Sequence, residues 1–177
     1  MSKRLSGSHR EQGIEDMAES LNLAKSSINL YFSRVNPEFD LIFIHQSEDE
    51  INSERNKQLH DIELSYLLNL MSAIEAKFKI DYAIRCEQKK KDELSRIFGE
   101  KYKNNGLKVK FDEDILKSWR SFVSDTSIVN ELFTIVKYRN WLAHGKFWLL
   151  KTNVERFDFD YVYSIADYIQ NHWPLMD

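Results

Sequence analysis

An arginine, an asparagine and a histidine lie close together near the end of an apolar segment, at Arg139, Asn140 and His144. A histidine exchanges protons near neutral pH, and an arginine carries a permanent charge that can bind phosphate. Asn140 and His144 are four positions apart, so on a helix they share a face and the amide can orient the imidazole. These residue types predict acid–base chemistry on a phosphate, if the fold holds them in place.

The spacing alone does not identify a site, because two other arginine–histidine pairs in the chain share it. Arg4 and His9 lie in a polar amino-terminal segment. Arg55 and His60 lie in a charged segment that lacks a surrounding apolar arc. Arg139 differs because it is embedded in a long apolar segment, so the elements that position it decide the question.

Composition favours one helical domain. The chain has 177 residues, with only five Gly and two Pro, which leaves little material for the many tight turns of a β-sandwich. The single cysteine, Cys86, excludes an internal disulfide and a cysteine-based zinc site, and it fits a reducing compartment. No apolar run approaches the roughly 20 residues of a membrane span. We therefore expect a cytoplasmic protein without a membrane segment.

Hydrophobic periodicity predicts an all-α, up-and-down bundle of about five helices. Residues 1–12 are expected to form a flexible tail, and residues 13–177 a single helical domain. Asp112 is the expected N-cap of the third helix, and Gly145 the stop of the fourth. A strand or buried turn is predicted for residues 39–45, and a loop for residues 46–56. The other predicted helices span residues 14–34, 56–102, 128–144 and 158–173.

The helix that carries Arg139 has an unusually wide apolar arc, with Tyr138 and Trp141 outside it. The arc comprises Ile128, Val129, Leu132, Phe133, Ile135, Val136, Leu142 and Ala143. So wide an arc predicts cover on two sides, by the chain's own bundle and by a partner chain. Arg139 lies near its middle and needs an anionic partner, because a guanidinium does not lose its charge. Glu75, inside the apolar stripe of an earlier helix, is the predicted partner.

An all-α bundle whose late helix carries Arg-Asn-x-x-x-His resembles the HEPN superfamily. Its signature is an arginine, a polar residue directly after it and a histidine four to six positions further on. Arg139, Asn140 and His144 match it, and the stretch RNWLAHG is especially similar to bacterial members. The resemblance rests on seven residues and on the helical layout of residues 56–173.

The resemblance implies a metal-independent endoribonuclease that acts as a toxin or an antiviral effector. The 2′-hydroxyl of RNA would attack the adjacent phosphate, with His144 as general acid or base and Arg139 stabilising the phosphorane. Asn140 would position the histidine or the phosphate, and Glu75 would hold Arg139. The resemblance also implies a homodimer whose two motifs face one cleft, and an antitoxin or defence-system partner. No cofactor and no metal are expected.

One position departs from the family pattern. Members silenced by a nucleotidyltransferase partner resemble a pattern with tyrosine two positions after the histidine, where this chain has Lys146. Two alternatives to the nuclease remain open at this point. One is a non-catalytic HEPN-like module that binds a nucleotide or RNA. The other is a helical protein-interaction subunit in which Arg139 and Glu75 form only a structural pair.

Overall fold

The computed structural model describes residues 13–146, 149 and 156–176. Over these ranges the protein is a bundle of seven α-helices with one π-helical segment and no strand. The expected all-α bundle is therefore confirmed, with more helices than the five predicted. The α-helices are α1 (Ile14–Tyr31), α2 (Phe39–Ile42), α3 (Glu48–Glu87), α4 (Glu93–Asn105), α5 (Lys117–Phe122), α6 (Ser127–Ala143) and α7 (Phe159–His172).

Helix α3 is the central element, and it begins earlier than predicted. The Ser47 hydroxyl accepts a hydrogen bond from the Glu50 backbone N–H at 3.3 Å, and the Glu50 carboxylate accepts one from the Ser47 N–H at 2.7 Å. This capping box starts the helix inside the segment predicted as a loop. With 40 residues, α3 is about 60 Å long. It contacts α1, α4, α6 and α7.

The single helix predicted for residues 56–102 is wrong, because the chain breaks between α3 and α4. Lys89 has a positive φ of 49°, which ends the regular helix. Asp92 then caps α4, its carboxylate accepting a hydrogen bond from the Ser95 N–H at 3.0 Å. Hydrophobic periodicity does not reveal this break, because the segment around it is charged and contains no glycine or proline.

Two other local predictions also need correction. Residues 39–45 begin with the short helix α2 and contain no strand, while residues 43–45 form a turn, which agrees with the second of the two predicted alternatives. Asp112 is not an N-cap but lies inside the π-helical segment Phe111–Leu116, which leads directly into α5. The Asp114 carboxylate instead accepts a hydrogen bond from the Lys110 N–H at 2.9 Å, and so holds the start of that segment.

The main core surrounds the middle and the carboxyl-terminal half of α3. Its largest fully buried side chains include Trp119, Tyr82, Phe78, Phe98 and Phe157. Trp119 stacks on Trp173, with ring centroids 5.1 Å apart. The Phe78 ring makes T-shaped contacts with both indoles. These contacts fasten α5 and the end of α7 to α3, so they hold the helix on which Glu75 lies.

A second, smaller core lies at the far end of the α1–α3 pair. Phe39, Phe43 and Ile51 are buried there, and Phe32 and Ile42 pack against them. Large apolar side chains nearby remain in solvent: Val35 is 77% exposed, Leu41 75% and Ile44 67%. This end of the bundle, within residues 30–51, therefore exposes several large apolar side chains to solvent.

The most deeply buried ion pair joins Asp81 and Arg85 on α3. The Arg85 Nε donates to Asp81 at 2.6 Å, and its other nitrogens donate to Asp92 at 2.9 Å and to the Pro174 carbonyl at 2.5 Å. Asp81 also accepts a hydrogen bond from the Met176 N–H at 3.0 Å. Burial raises the pKa of Asp81 above its ordinary value. One charged cluster thus ties residues 174–176 to the middle of the chain.

Cys86 offers a simple test of how closely this region packs. Burial raises the pKa of its thiol from 9.0 to about 11, which lowers the thiolate fraction at pH 8 by about a hundredfold. We expect iodoacetamide to alkylate native Cys86 at pH 8 slower than the urea-unfolded chain by about that factor. Mass spectrometry reads this directly, because the chain has no other cysteine. Equal rates would contradict the packing.

No described helix contains a stretch long and apolar enough to cross a lipid bilayer. This holds for α3 despite its 40 residues, because charged residues occur along its whole length.

Candidate active site

Arg139 on α6 forms an ion pair with Glu75 on α3, through its Nη2 and the Glu75 Oε2. The predicted partner of the arginine is thus its partner in the structure. The other Glu75 oxygen accepts from the Lys79 ammonium at 2.6 Å, so one carboxylate serves two cations. Lys79 was not identified from the sequence. Its position four residues after Glu75, where side chains on a helix meet, was the available signal.

The ion pair is half-buried, and Arg139 keeps hydrogen-bond donors that Glu75 does not use. The side chain of Arg139 is 25% exposed and that of Glu75 is 15% exposed. Burial lowers the pKa of Arg139 from its ordinary value, but an arginine stays charged at physiological pH. A guanidinium has five N–H donors, so the contact with Glu75 orients the group without using its full capacity.

His144 lies at the end of α6, where the backbone forms a regular helix stop. The His144 N–H donates to the Asn140 carbonyl at 3.0 Å, the Gly145 N–H to Leu142 at 3.2 Å, and the Lys146 N–H to Trp141 at 3.0 Å. The last two bonds define a Schellman motif, with Gly145 at a φ of 75° as predicted for the helix stop. The histidine is therefore held on an ordered, solvent-exposed turn.

The helix remains α-helical through Ala143, so it does not distort to bring Arg139 and His144 together. On a regular helix these two residues point about 140° apart. Arg139 is directed towards α3, where Glu75 binds it, and His144 lies one turn further along. Asn140 is half-buried between them. Phe147 and Trp148, which complete the apolar end of the motif segment, lie outside the described residues.

The wide apolar arc of α6 is covered largely by the chain itself. Val129, Leu132, Ile135 and Val136 are buried, and Ile128, Phe133 and Leu142 pack partly buried against the core. Only Ala143, at the end of the arc, is exposed. A partner chain is therefore not needed to explain the arc, and the width of the arc no longer supports a dimer.

Tyr138 lies outside the apolar arc, as the sequence indicates, but it is buried nonetheless. Its ring is 5.8 Å from that of Trp141 and 6.1 Å from that of Phe157. Phe157 precedes α7 and extends the buried surface of α6 beyond the arc. The contact holds the carboxyl-terminal half of α6, and with it Arg139, against the bundle.

Two lysines flank the Arg139–His144 segment in the chain. Lys137 and Lys146 are exposed on either side of the Arg139–His144 segment, and the Lys146 ammonium lies 5.9 Å from the centre of the Trp141 ring. Other lysines lie elsewhere in the fold. Lys101 and Lys110 pair with Asp114 and Glu113 at 3.2 and 3.0 Å, and Lys89, Lys90 and Lys91 are exposed near the α3–α4 break.

Among the described residues, no three histidine, cysteine or acidic side chains come together as a metal site. The second arginine–histidine pair, Arg55 and His60, lies on α3, with His60 exposed. The first, Arg4 and His9, lies outside the described residues.

Comparisons with known proteins give no assignment. No protein-family model matches the chain, and no curated protein and no solved structure is significantly similar to it.

Glu75→Ala tests whether the pair stabilises the fold. The change leaves the half-buried Arg139 without its carboxylate, so we expect the free energy of unfolding to fall by about 1.5–3 kcal/mol, the size of a hydrogen bond to a charged group. Urea denaturation measures the loss. Glu63→Ala is the matched control, because Glu63 is on the same helix and pairs with Lys25 in a more exposed position. An equal or larger loss in the control would contradict the role of the Glu75 pair.

Proposed function

We propose that the protein is a metal-independent endoribonuclease of HEPN type, with Arg139, Asn140, His144 and Glu75 as its site. The observation that carries the proposal is the Arg139–Glu75 ion pair, which joins α6 to α3 one turn before an exposed histidine. The pair fixes a guanidinium beside an ordered helix end. A phosphate there would meet a permanent positive charge and a group that exchanges protons near neutral pH.

In the proposed reaction the 2′-hydroxyl of RNA attacks the adjacent phosphate and expels the 5′-oxygen of the next nucleotide. The products are a 2′,3′-cyclic phosphate and a 5′-hydroxyl. His144 removes or supplies the proton, and Arg139 stabilises charge on the phosphorane oxygens. Glu75 is a positioning residue, since it acts through Arg139. Lys137 and Lys146 are placed to attract the RNA backbone.

The proposal includes a homodimer, in which two copies of the site face one cleft. This part rests on the resemblance of the RNWLAHG segment alone, because the apolar arc of α6 is largely covered within one chain. The proposed roles as a toxin or defence effector, and the proposed antitoxin, rest on the same resemblance.

Cleavage of mixed RNA by the purified protein in EDTA tests the proposal. We expect fragments with 5′-hydroxyl ends, which polynucleotide kinase labels without prior phosphatase treatment. If the protein leaves every RNA intact, both alone and together with the products of neighbouring genes, catalysis is excluded. RNA binding without cleavage would instead identify a non-catalytic module.

A helical protein-interaction subunit is the second candidate, and two observations favour it. The arc of α6 packs mainly inside its own bundle, so Arg139 and Glu75 can be explained as a structural pair. The surface that remains apolar is instead the end of the α1–α3 pair, where Val35, Leu41 and Ile44 are exposed. In this case Leu41→Glu would abolish partner binding, while His144→Ala would leave every measured property unchanged.

A further inference from the structure

A cavity of about 700 Å³ lies between the amino end of α1, the middle of α3 and the end of α7. It shares no residue with the Arg139–Glu75 site. Its volume falls within the range of about 300–1,000 Å³ that is typical of small-molecule sites. Its floor is formed by buried apolar side chains, namely Ile14, Met17, Ile74, Phe78, Ala166 and Ile169. These side chains would pack against the apolar part of a ligand.

Three polar side chains at one rim of the cavity form a chain of hydrogen bonds. The Lys77 ammonium donates a hydrogen bond to the Gln170 side-chain carbonyl at 2.5 Å, and the amide of Gln170 donates to Glu15 at 3.3 Å. The three side chains come from α3, α7 and α1, so the rim brings together the three helices that form the cavity.

Within the described part of the chain, Lys77 forms no direct ion pair at this rim. It is half-buried, and its ammonium contacts the neutral amide of Gln170 but no carboxylate. Glu15 is linked to it only through Gln170, whose amide donates to one Glu15 oxygen. The other Glu15 oxygen and one Asp16 oxygen lie over Gly13, within about 3.4 Å of where a Cβ would stand, at the positive end of the α1 dipole.

We propose that this cavity binds a small amphiphile with an apolar body and one anionic group. The anionic group would take the place of the Gln170 oxygen at the Lys77 ammonium, because a charged acceptor forms a stronger hydrogen bond than a neutral amide. The apolar body would lie on the floor between Ile74 and Ile169. The inference is independent of the proposed nuclease.

Three probes with the same eight-carbon body test the charge preference by calorimetry on the full chain: octanoate, octanol and octylammonium. We expect octanoate to bind one to one. It should bind about tenfold more tightly than octanol, the gain from one charge-assisted hydrogen bond. Octylammonium should bind more weakly than both. Octanol binding as tightly as octanoate, or no binding of octanoate, would overturn the proposal without bearing on RNA cleavage.

Variants then locate the binding. Lys77→Met keeps an apolar stem but removes the charge, so the affinity for octanoate should fall about tenfold, to that for octanol. Ala76→Phe projects a ring into the cavity and should abolish binding of both probes. Lys57→Met is the control, an exposed lysine on the same helix, and should bind octanoate like the wild type. If Lys77→Met keeps the wild-type affinity, or a folded Ala76→Phe still binds octanoate, the assignment fails.

Discussion

His144→Ala is expected to lower the rate of RNA cleavage by about 10²–10⁴-fold, the usual contribution of a positioned acid or base. The imidazole is the proton-exchanging group of the proposed site. It lies on the exposed turn that ends α6, so its loss should leave the bundle intact. Single-turnover cleavage of one labelled RNA measures the effect. The thermal unfolding midpoint of the variant should match that of the wild type.

His60→Ala is the matched control for that variant. His60 follows Arg55 with the same spacing as in the proposed site, and it is also exposed. It lies on α3, about four helical turns before Glu75. We expect the wild-type cleavage rate. A His144→Ala protein that cleaves at the wild-type rate would remove His144 from the mechanism. Equal losses in the two variants would show that neither acts at a specific site.

Arg85→Ala should lower the free energy of unfolding by about 3–5 kcal/mol, because it leaves a buried carboxylate without its counter-charge. Asp81 is fully buried, and its second oxygen has no hydrogen-bond partner within the described residues. The change also removes the donors to Asp92 and to the Pro174 carbonyl. Urea denaturation with a fluorescence readout measures the loss, since Trp119 and Trp173 lie beside the cluster.

Two comparisons separate the buried charge from a general effect of losing an arginine. Arg34→Ala breaks an exposed pair with Glu48, and the unfolding midpoint should stay unchanged. The double variant Asp81→Asn, Arg85→Ala should recover part of the stability lost in Arg85→Ala, because no charge then remains buried. If the double variant is less stable than Arg85→Ala, the loss has another cause.

The sequence predicts helix α6 well because local rules define it. The apolar register of α6 places Arg139 among buried positions, and Gly145 ends the helix where a residue with positive φ is needed. Glu75 was identified as the partner because a carboxylate in an apolar stripe must be compensated. Each of these inferences uses the chemistry of one residue and its helical phase.

The same rule does not find the Asp81–Arg85 pair. On the helical wheel Asp81 lies outside the apolar stripe of α3, although Arg85, four residues later, falls within it. Their burial was overlooked because an i,i+4 pair on a charged-looking stretch is usually a solvated one. The deepest ion pair of the fold is therefore not at the proposed site.

The position of a residue on the helical wheel does not reveal what covers that side of the helix, and this explains why the burial of Tyr138 was not predicted. Tyr138 is buried because Phe157, distant along the chain, packs on that side of α6. The break after Glu87 depends on Lys89 adopting a positive φ, for which lysine has no intrinsic preference. A tertiary contact decides the burial of Tyr138, whereas the Asp92 cap of α4 is a local signal for the break that hydrophobic periodicity does not detect.

The contacts of residues 174–176 also determine an order of folding. The partners of Pro174 and Met176 on α3 are 89 and 95 residues earlier in the chain. Until the later segment arrives, a nascent α3–α4 hairpin must keep Asp81 and Arg85 in water, since each lacks part of its final hydrogen bonding. The hairpin can therefore form early but can bury its charges only late. We therefore expect this charge cluster to become fully buried only after residues 174–176, which follow α7, have been synthesised.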